Sequence, residues 1–263
     1  MIRKTVLAIA FLGFGLSASA DPVDLSGWSA LSLSFPDGQG VGEWVLGAGS
    51  TYVDQVYNAD PSFYLNNLNQ TSYSMDGSFQ VRTAEDDDYV GFVFGYQNSS
   101  NFYLFDWKQE GQESGAYYAA EGMTIKKMTG STGDGLVDLS LAEFFENEHA
   151  HEDMDVLDQK QDSTMGWADN TVYDFHLDFN QNPGEIHVVV TEGAITLWDV
   201  TVTDSTFTSG QFGFYNYSQA DVRYSGFEQT GGVIVDVIPA PGAALLAGLG
   251  ACFAGWMRRR RSL

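Results

Sequence analysis

Cysteine is all but missing from this chain. The single one, Cys252, lies inside an apolar tail, so the body has no disulfide and must be held by its core and by whatever it binds. In that setting Cys252 reads as a small apolar residue rather than a lipidation or processing thiol. Basic side chains are nearly as scarce. Six of the 12 Lys and Arg are Arg3, Lys4, Arg258, Arg259, Arg260 and Arg261, and the other six face all 35 Asp and Glu, a formal net of −29. Such a surface repels nucleic acid and anionic lipid at long range and attracts divalent cations or basic partners. It also keeps a protein soluble in a salty medium. The common catalytic signatures are missing too: there is no Gly-x-Ser-x-Gly, no His-Glu-x-x-His and no phosphate loop.

Both ends read as addresses. Residues 1–20 have a basic start, an apolar run over 6–16 and Ala18-Ser19-Ala20 before Asp21, the three parts of a signal peptide cleaved after Ala20. The apolar run is too short to span a bilayer comfortably. Residues 233–263 carry a proline motif (Pro239-Ala240-Pro241), an uncharged apolar stretch over 242–257 read as a short transmembrane helix, and then Arg258 to Arg261. Sixteen helical residues reach about 24 Å, short of a hydrocarbon core of about 30 Å. The arginines would stay cytoplasmic, leaving the body outside. This order of parts resembles the PEP-CTERM sorting signal of Gram-negative bacteria, which implies processing by an exosortase-type membrane peptidase. The central Glu of that motif is absent here, which leaves the sorting enzyme open, and a plain single-span anchor is the alternative. The expectation is an exported protein of the outer envelope, cell surface or extracellular matrix, tethered to the inner membrane before processing.

About 215 residues remain between the ends, enough for one sandwich-sized domain. Short runs rich in Val, Ile, Thr and aromatics predict strands over 78–83, 89–97, 102–109, 123–128, 172–179, 185–191, 194–203, 211–217 and 222–228. Segments 44–46, 52–57 and 63–65 read as edge strands. One helix is predicted over 138–148, where Ser140 and Glu143 fit a capping box, and a long acidic loop over 146–162 follows it. With no internal repeat and no interior linker, residues 21–232 read as one all-β domain. Residues 89–97 are apolar on both faces, which places them near a sheet centre. Gly91 and Gly95 there point to close backbone approach or a concave floor. On the next strand Asp106 interrupts the row Phe102, Leu104, Lys108. A salt bridge to Lys108, a metal ion or simple exposure would account for it.

The carboxylates offer chemistry. Asp86, Asp87 and Asp88 are consecutive and cannot all stay charged without solvent or a cation between them. With Asp60, and Asn58 as a further candidate, they supply the hard oxygens that Ca²⁺ takes in sets of six to eight. A solvated turn is the plain alternative. His149, His151, Glu152, Asp153, Asp155 and Asp158 form a second acidic, histidine-bearing stretch, which reads as a solvated loop more readily than as a transition-metal cluster. Polysaccharide hydrolysis needs two carboxylates about 5–9 Å apart across a groove. No predicted strand carries the Glu-x-Asp-x-x-Glu spacing that supplies them in one hydrolase family of sandwich folds.

Residues 86–109, DDDYVGFVFGYQNSSNFYLFDWKQ, resemble the signature of the thrombospondin C-terminal, L-type-lectin-like domain. Further matches follow in order: Glu43-Trp44-Val45-Leu46, Asn58-Ala59-Asp60-Pro61, Gly166-Trp167 with Asp169 and Tyr173, and residues 210–228. Together they cover roughly residues 25–229. The resemblance implies a concanavalin A-like β-sandwich (jelly roll) that binds Ca²⁺ and serves adhesion or matrix contacts without catalysis. Its expected partners are an extracellular polysaccharide or a surface protein. Tyr96, Phe105 and Trp107 are candidates for a sugar-stacking platform, with core packing as their other role. The alternative on the same scaffold is a polysaccharide-active enzyme, a glycoside hydrolase or lyase. The family's Val-Val-Met after Phe-Tyr is Leu104-Phe105-Asp106 here, so a receptor contact tied to that stretch is not carried over. A structural surface protein with no specific ligand is a third reading.

Overall fold

Alternating apolar and polar side chains in one sheet, and runs buried on both faces in the other, build most of the described chain into strands, seen in a computed structural model that describes residues 23–235. The strands are β1 (Ser29–Ser32), β2 (Trp44–Leu46), β3 (Tyr52–Gln55), β4 (Ser62–Leu65), β5 (Gln70–Val81), β6 (Tyr89–Asn98), β7 (Asn101–Lys108) and β8 (Gln112–Ser114). They continue as β9 (Tyr117–Ala119), β10 (Gly122–Thr129), β11 (Met154–Gln161), β12 (Tyr173–Asn180), β13 (Glu185–Glu192), β14 (Ile195–Thr203), β15 (Gln211–Tyr217) and β16 (Val222–Ile234). Two short helices, α1 (Gly135–Asp138) and α2 (Leu141–Phe145), lie between β10 and β11. The front sheet runs β1-β4-β15-β6-β7-β10-β11 and the back sheet β14-β13-β12-β5-β16-β3-β2, all antiparallel; β8 and β9 form a separate hairpin.

The predicted all-β sandwich is therefore what forms, and its strands do most of the holding. Between the sheets, Val90, Phe92 and Phe94 of β6 meet Phe175, Leu177 and Phe179 of β12. Phe92 stacks on Phe175 at 4.6 Å, and Phe94 meets Phe179 edge-on at 5.7 Å. Each such ring takes ~150–250 Å² out of water, which is how a disulfide-free body stays folded. The other face of β6 is buried as well. Tyr89, Val93 and Tyr96 lie in a second core with Leu33, Leu139, Phe144 and Phe145, supplied by the β1–β2 connection and the α1–α2 segment. As predicted, β6 is the central strand of its sheet. Gly91 serves close approach: a Cβ there would sit 2.0 Å from the Phe105 carbonyl oxygen. Gly95, at φ +57°, marks the register shift between Phe94 and Asn98. Neither makes an open floor, because the second core covers that face.

Several expectations need correction. Residues 154–161 are not loop but β11, the edge strand beyond β10. Only Met154 of it is buried, so the strand reads polar, and charge on an edge also protects it from pairing with another chain. Segment 63–65, read as an edge strand, belongs to β4 (Ser62–Leu65), which is not at an edge. All four of its residues are buried, and it lies between β15 and β1, a strand the sequence reading missed. β3 is likewise interior, between β2 and β16. The single helix is two, separated where Leu139 caps α1 and Ser140 starts α2; the Ser140–Glu143 capping box is present as expected. β5 begins at Gln70 rather than at residue 78, because its Ser- and Thr-rich start pairs with β16. β16 in turn runs through Ile234, two residues past the boundary drawn at 232. The predicted signal peptide (1–20), Pro239, Pro241, the apolar helix over 242–257 and the arginine cluster lie outside the described residues. Among the described residues no helix is long and apolar enough to cross a membrane.

Candidate metal centre

Asp86, Asp87 and Asp88 fill the connection from β5 to β6, and each can direct a carboxylate oxygen into one group whose atoms lie within 4.8 Å of one another. Three consecutive residues achieve this only because the loop is fastened from several sides. The Asp88 amide donates to Gln219 Oε1 at 3.0 Å, and Trp167 Nε1 donates to the Asp88 carbonyl at 3.1 Å. The Gln109 amide donates to the Asp87 carbonyl at 3.1 Å. Lys108, whose side chain is fully buried, donates to the Asp87 carbonyl (3.2 Å), Asp87 Oδ1 (3.1 Å) and Asp88 Oδ1 (2.8 Å). Asn58 Nδ2 donates to Asp86 Oδ2, which joins the β3–β4 connection to the same place.

Electrostatically the centre is under-compensated. Burial pushes the Asp88 carboxyl above the usual carboxylate range; Lys108 and Ser218 pull it down, and the Asp86 charge pushes it further up. One ammonium thus meets two of the three carboxylates, and Asp86 has only the neutral Asn58 amide. Asp86 and Asp87 are partly exposed, so solvent reaches the group from outside. The donors are hard oxygens, they converge, and their charge is only partly neutralised, so this acidic cluster fits a divalent cation.

Asp60 is not part of it. It is fully buried, and its two oxygens accept the amides of Phe35 and Gln39, each at 2.8 Å. It braces the 33–39 loop, a role set by distant backbone that spacing could not show. Asp106 is also fully buried, and its partner is Lys126 at 2.7 Å, not Lys108. The aromatic platform does not exist as such. Tyr96, Phe105 and Trp107 are at most 5% exposed and belong to the two cores, so no ring face is open to a sugar. The two imidazoles of the 149–153 stretch part company: His151 Nδ1 pairs with Glu143 at 2.7 Å, while His149 stays largely exposed beside Glu146.

The residues that position the triad were quoted at the sequence level only as separate matches. In space they meet. Ala168 N donates to the Tyr173 hydroxyl at 2.8 Å, Gln109 Nε2 to Asp169 at 3.2 Å, and Ser218 N to the Ala59 carbonyl at 2.8 Å. Gly166 is forced by this convergence, since a Cβ on it would fall 1.8 Å from the Gln109 carbonyl oxygen. Gly166→Ala should therefore push the Trp167 loop off the end of β7 and cost about 3 kcal/mol, the upper range for overpacking. Urea denaturation of the variant against the parent measures it; an unchanged midpoint would show that the two backbones are not held this close. Beside the triad, Gln109, Glu110, Glu121, Ser163, Trp167 and Asp169 line an open polar depression of about 490 Å³.

A family model for the thrombospondin C-terminal region matches residues 39–231. Thrombospondin-2 of Gallus gallus is 32% identical over 192 residues, covering 69% of this chain and 16% of that protein. Thrombospondin-2 of Homo sapiens is 33% identical over 193 residues, again 69% and 16%, and thrombospondin-3b of Danio rerio 32% over 196 residues, 69% and 20%. The matched region thus spans about a sixth to a fifth of these relatives. Among solved structures, a carbohydrate-binding module from Bacillus subtilis superposes with a TM-score of 0.52 at 13% identity, over 78% of this chain and 96% of that one. That likeness shows the sandwich fold.

Proposed function

The chain belongs to the family of thrombospondin C-terminal regions, and from that membership we propose a non-catalytic adhesion module of the cell exterior whose rim is set by Ca²⁺. The observation that carries this reading is the convergence of Asn58, the Asp86–Asp88 loop, Lys108, Trp167 and Gln219 on one rim of the sandwich. Asp86, Asp87 and Asp88 would hold the ion, Asn58 adding a neutral oxygen at the same edge, with water completing the shell. When bound, Ca²⁺ supplies the positive charge that Lys108 alone does not. The protein's own part is to fix the loop that borders the 490 Å³ depression. That depression, not the covered face of the front sheet, is where an extracellular polysaccharide or a surface protein would be gripped. Its polar lining suits hydroxyl-rich or charged ligands. Residues 1–20 and 233–263 support export and exosortase-type sorting in a Gram-negative envelope; the support there is sequence alone.

Thermal unfolding of the full chain, freed of transition metals and then given Ca²⁺ or a Ca²⁺ chelator, tests the ion. At 100-fold excess over Kd, binding to the native state alone adds about 2.7 kcal/mol. For a domain of this size that raises Tm by roughly 5–10 °C. Asp86→Asn combined with Asp87→Asn should abolish the rise. Equal melting with and without Ca²⁺ would remove the ion from the proposal and leave the fold standing.

A further inference from the structure

We propose a second metal site, unrelated to the rim: a three-ligand transition-metal centre on the outer face of the back sheet, formed by His176 Nε2, His187 Nδ1 and Asp178 Oδ2. The argument begins with register. On β12, His176 and Asp178 are two apart and so share the face opposite Phe175, Leu177 and Phe179, which point into the core. The β12–β13 hairpin sets Asp178 directly across from His187, and the β12–β5 pairing sets His176 across from Asp76. Directly paired residues on a sheet face are the ones whose side chains meet.

The distances then match a metal. His176 Nε2 lies 3.1 Å and His187 Nδ1 3.5 Å from the same oxygen, Asp178 Oδ2. All three ligand atoms lie within 4.8 Å of one another. Nitrogen and oxygen ligands about 2.0–2.1 Å from a tetrahedral Zn²⁺ stand about 3.3 Å from each other. The surroundings match as well. The far nitrogen of each ring is bound to a carboxylate: His176 Nδ1 to Asp76 Oδ1 at 2.7 Å, and His187 Nε2 to Asp199 Oδ1 at 2.9 Å. When the rings are neutral and donate those N–H groups, Nε2 of His176 and Nδ1 of His187 are the lone-pair nitrogens that face the shared position. This carboxylate–histidine–metal arrangement orients imidazole ligands and raises their basicity. Ser74 Oγ donates to Asp178 Oδ1, which turns Oδ2 toward the two rings as the third ligand atom. All three ligand side chains are between 28% and 41% exposed, so the ion can enter from solvent and keep a water in its fourth position. Two imidazoles with one carboxylate select Zn²⁺ or a similar borderline ion over Ca²⁺, so the two centres should not compete.

Zn²⁺ titration of the metal-stripped full chain against a chromophoric competitor, with Cys252→Ser throughout to silence the thiol, tests this. One equivalent should bind tightly. His176→Ala or His187→Ala should weaken it at least 100-fold, and Asp76→Asn or Asp199→Asn about 10- to 100-fold. Co²⁺ in place of Zn²⁺ should give the intense visible absorption of a tetrahedral site, lost in both histidine variants. Far-ultraviolet circular dichroism and the Ca²⁺-dependent rise in Tm should survive in every variant, which separates loss of this site from loss of fold. Equal Zn²⁺ affinity in parent and histidine variants, or no uptake at mildly alkaline pH, would overturn the site and leave an ion-pair cluster held by protons.

Discussion

Lys126→Met should cost about 3–5 kcal/mol of stability. Asp106 and Lys126 are both fully buried under the second core, 2.7 Å apart. The contact is short but poorly aligned, and neither Asp106 oxygen makes a hydrogen bond to any other group. Burial pushes the Asp106 carboxyl up and the Lys126 ammonium down, and each offsets the other only in part. Removing the ammonium therefore strands a carboxylate with nothing to neutralise it, and also deprives the Phe144 carbonyl of its 3.1 Å donor. The pair itself is a different matter. Desolvation of two ions roughly matches their attraction, so Asp106→Leu together with Lys126→Met should recover most of the loss or exceed the parent. Urea unfolding of the single and double variants decides it. A double variant as unstable as the single one would mean the pair is worth more than its desolvation.

That Asp106 pairs with Lys126 illustrates where sequence reading stops. Lys108 is two residues along the same strand and on the same face, which makes it the obvious partner. That spacing, about 6.6–6.8 Å along the strand, is no longer than a diagonal across a ladder; what takes Lys108 away is its ammonium's contact with Asp87 and Asp88, at 3.1 and 2.8 Å. In the register found, Asp106 faces Thr124, and Lys126 reaches it diagonally. Register between β7 and β10 is set across the connection 109–121, which carries the β8–β9 hairpin, and is not written in either strand. The β6–β7 hairpin, by contrast, was legible because β6 is apolar on both faces, β7 is rich in aromatics and a polar turn separates them. β11 was not, because an edge strand with one buried residue shows no alternation. Asp86, Asp87 and Asp88 were legible as a cluster, whereas Asp60 was misassigned because its partners, Phe35 N and Gln39 N, are backbone groups from a distant loop. The histidine centre was within reach. His-x-Asp on one predicted strand, followed by an Asn-Pro-Gly turn and His187 on the next, fixes which side chains meet across the hairpin.

Lys108→Met should split stability and Ca²⁺ affinity in opposite directions. Without Ca²⁺ the variant should lose about 3 kcal/mol, because Asp87 and Asp88 keep their charges and lose the one ammonium between them, at 3.1 and 2.8 Å. Methionine fits the space, since Lys108 Nζ lies 5.5 Å from the centre of the Tyr89 ring and a thioether sits well beside an aromatic. With Ca²⁺ the sign reverses. A divalent ion bound by the same carboxylates lies within several ångströms of Nζ, and unit charges 4 Å apart interact by about 4 kcal/mol at an effective dielectric near 20. Solvent at the partly exposed Asp86 and Asp87 screens part of that repulsion. A tightening of at least tenfold, about 1.4 kcal/mol, should remain. The rise in Tm on adding Ca²⁺ should accordingly be larger in the variant than in the parent, with isothermal calorimetry giving the affinity directly. A smaller rise in the variant would mean that Lys108 holds the three carboxylates in their converging shape, and that the ammonium cooperates with the ion instead of standing in for it.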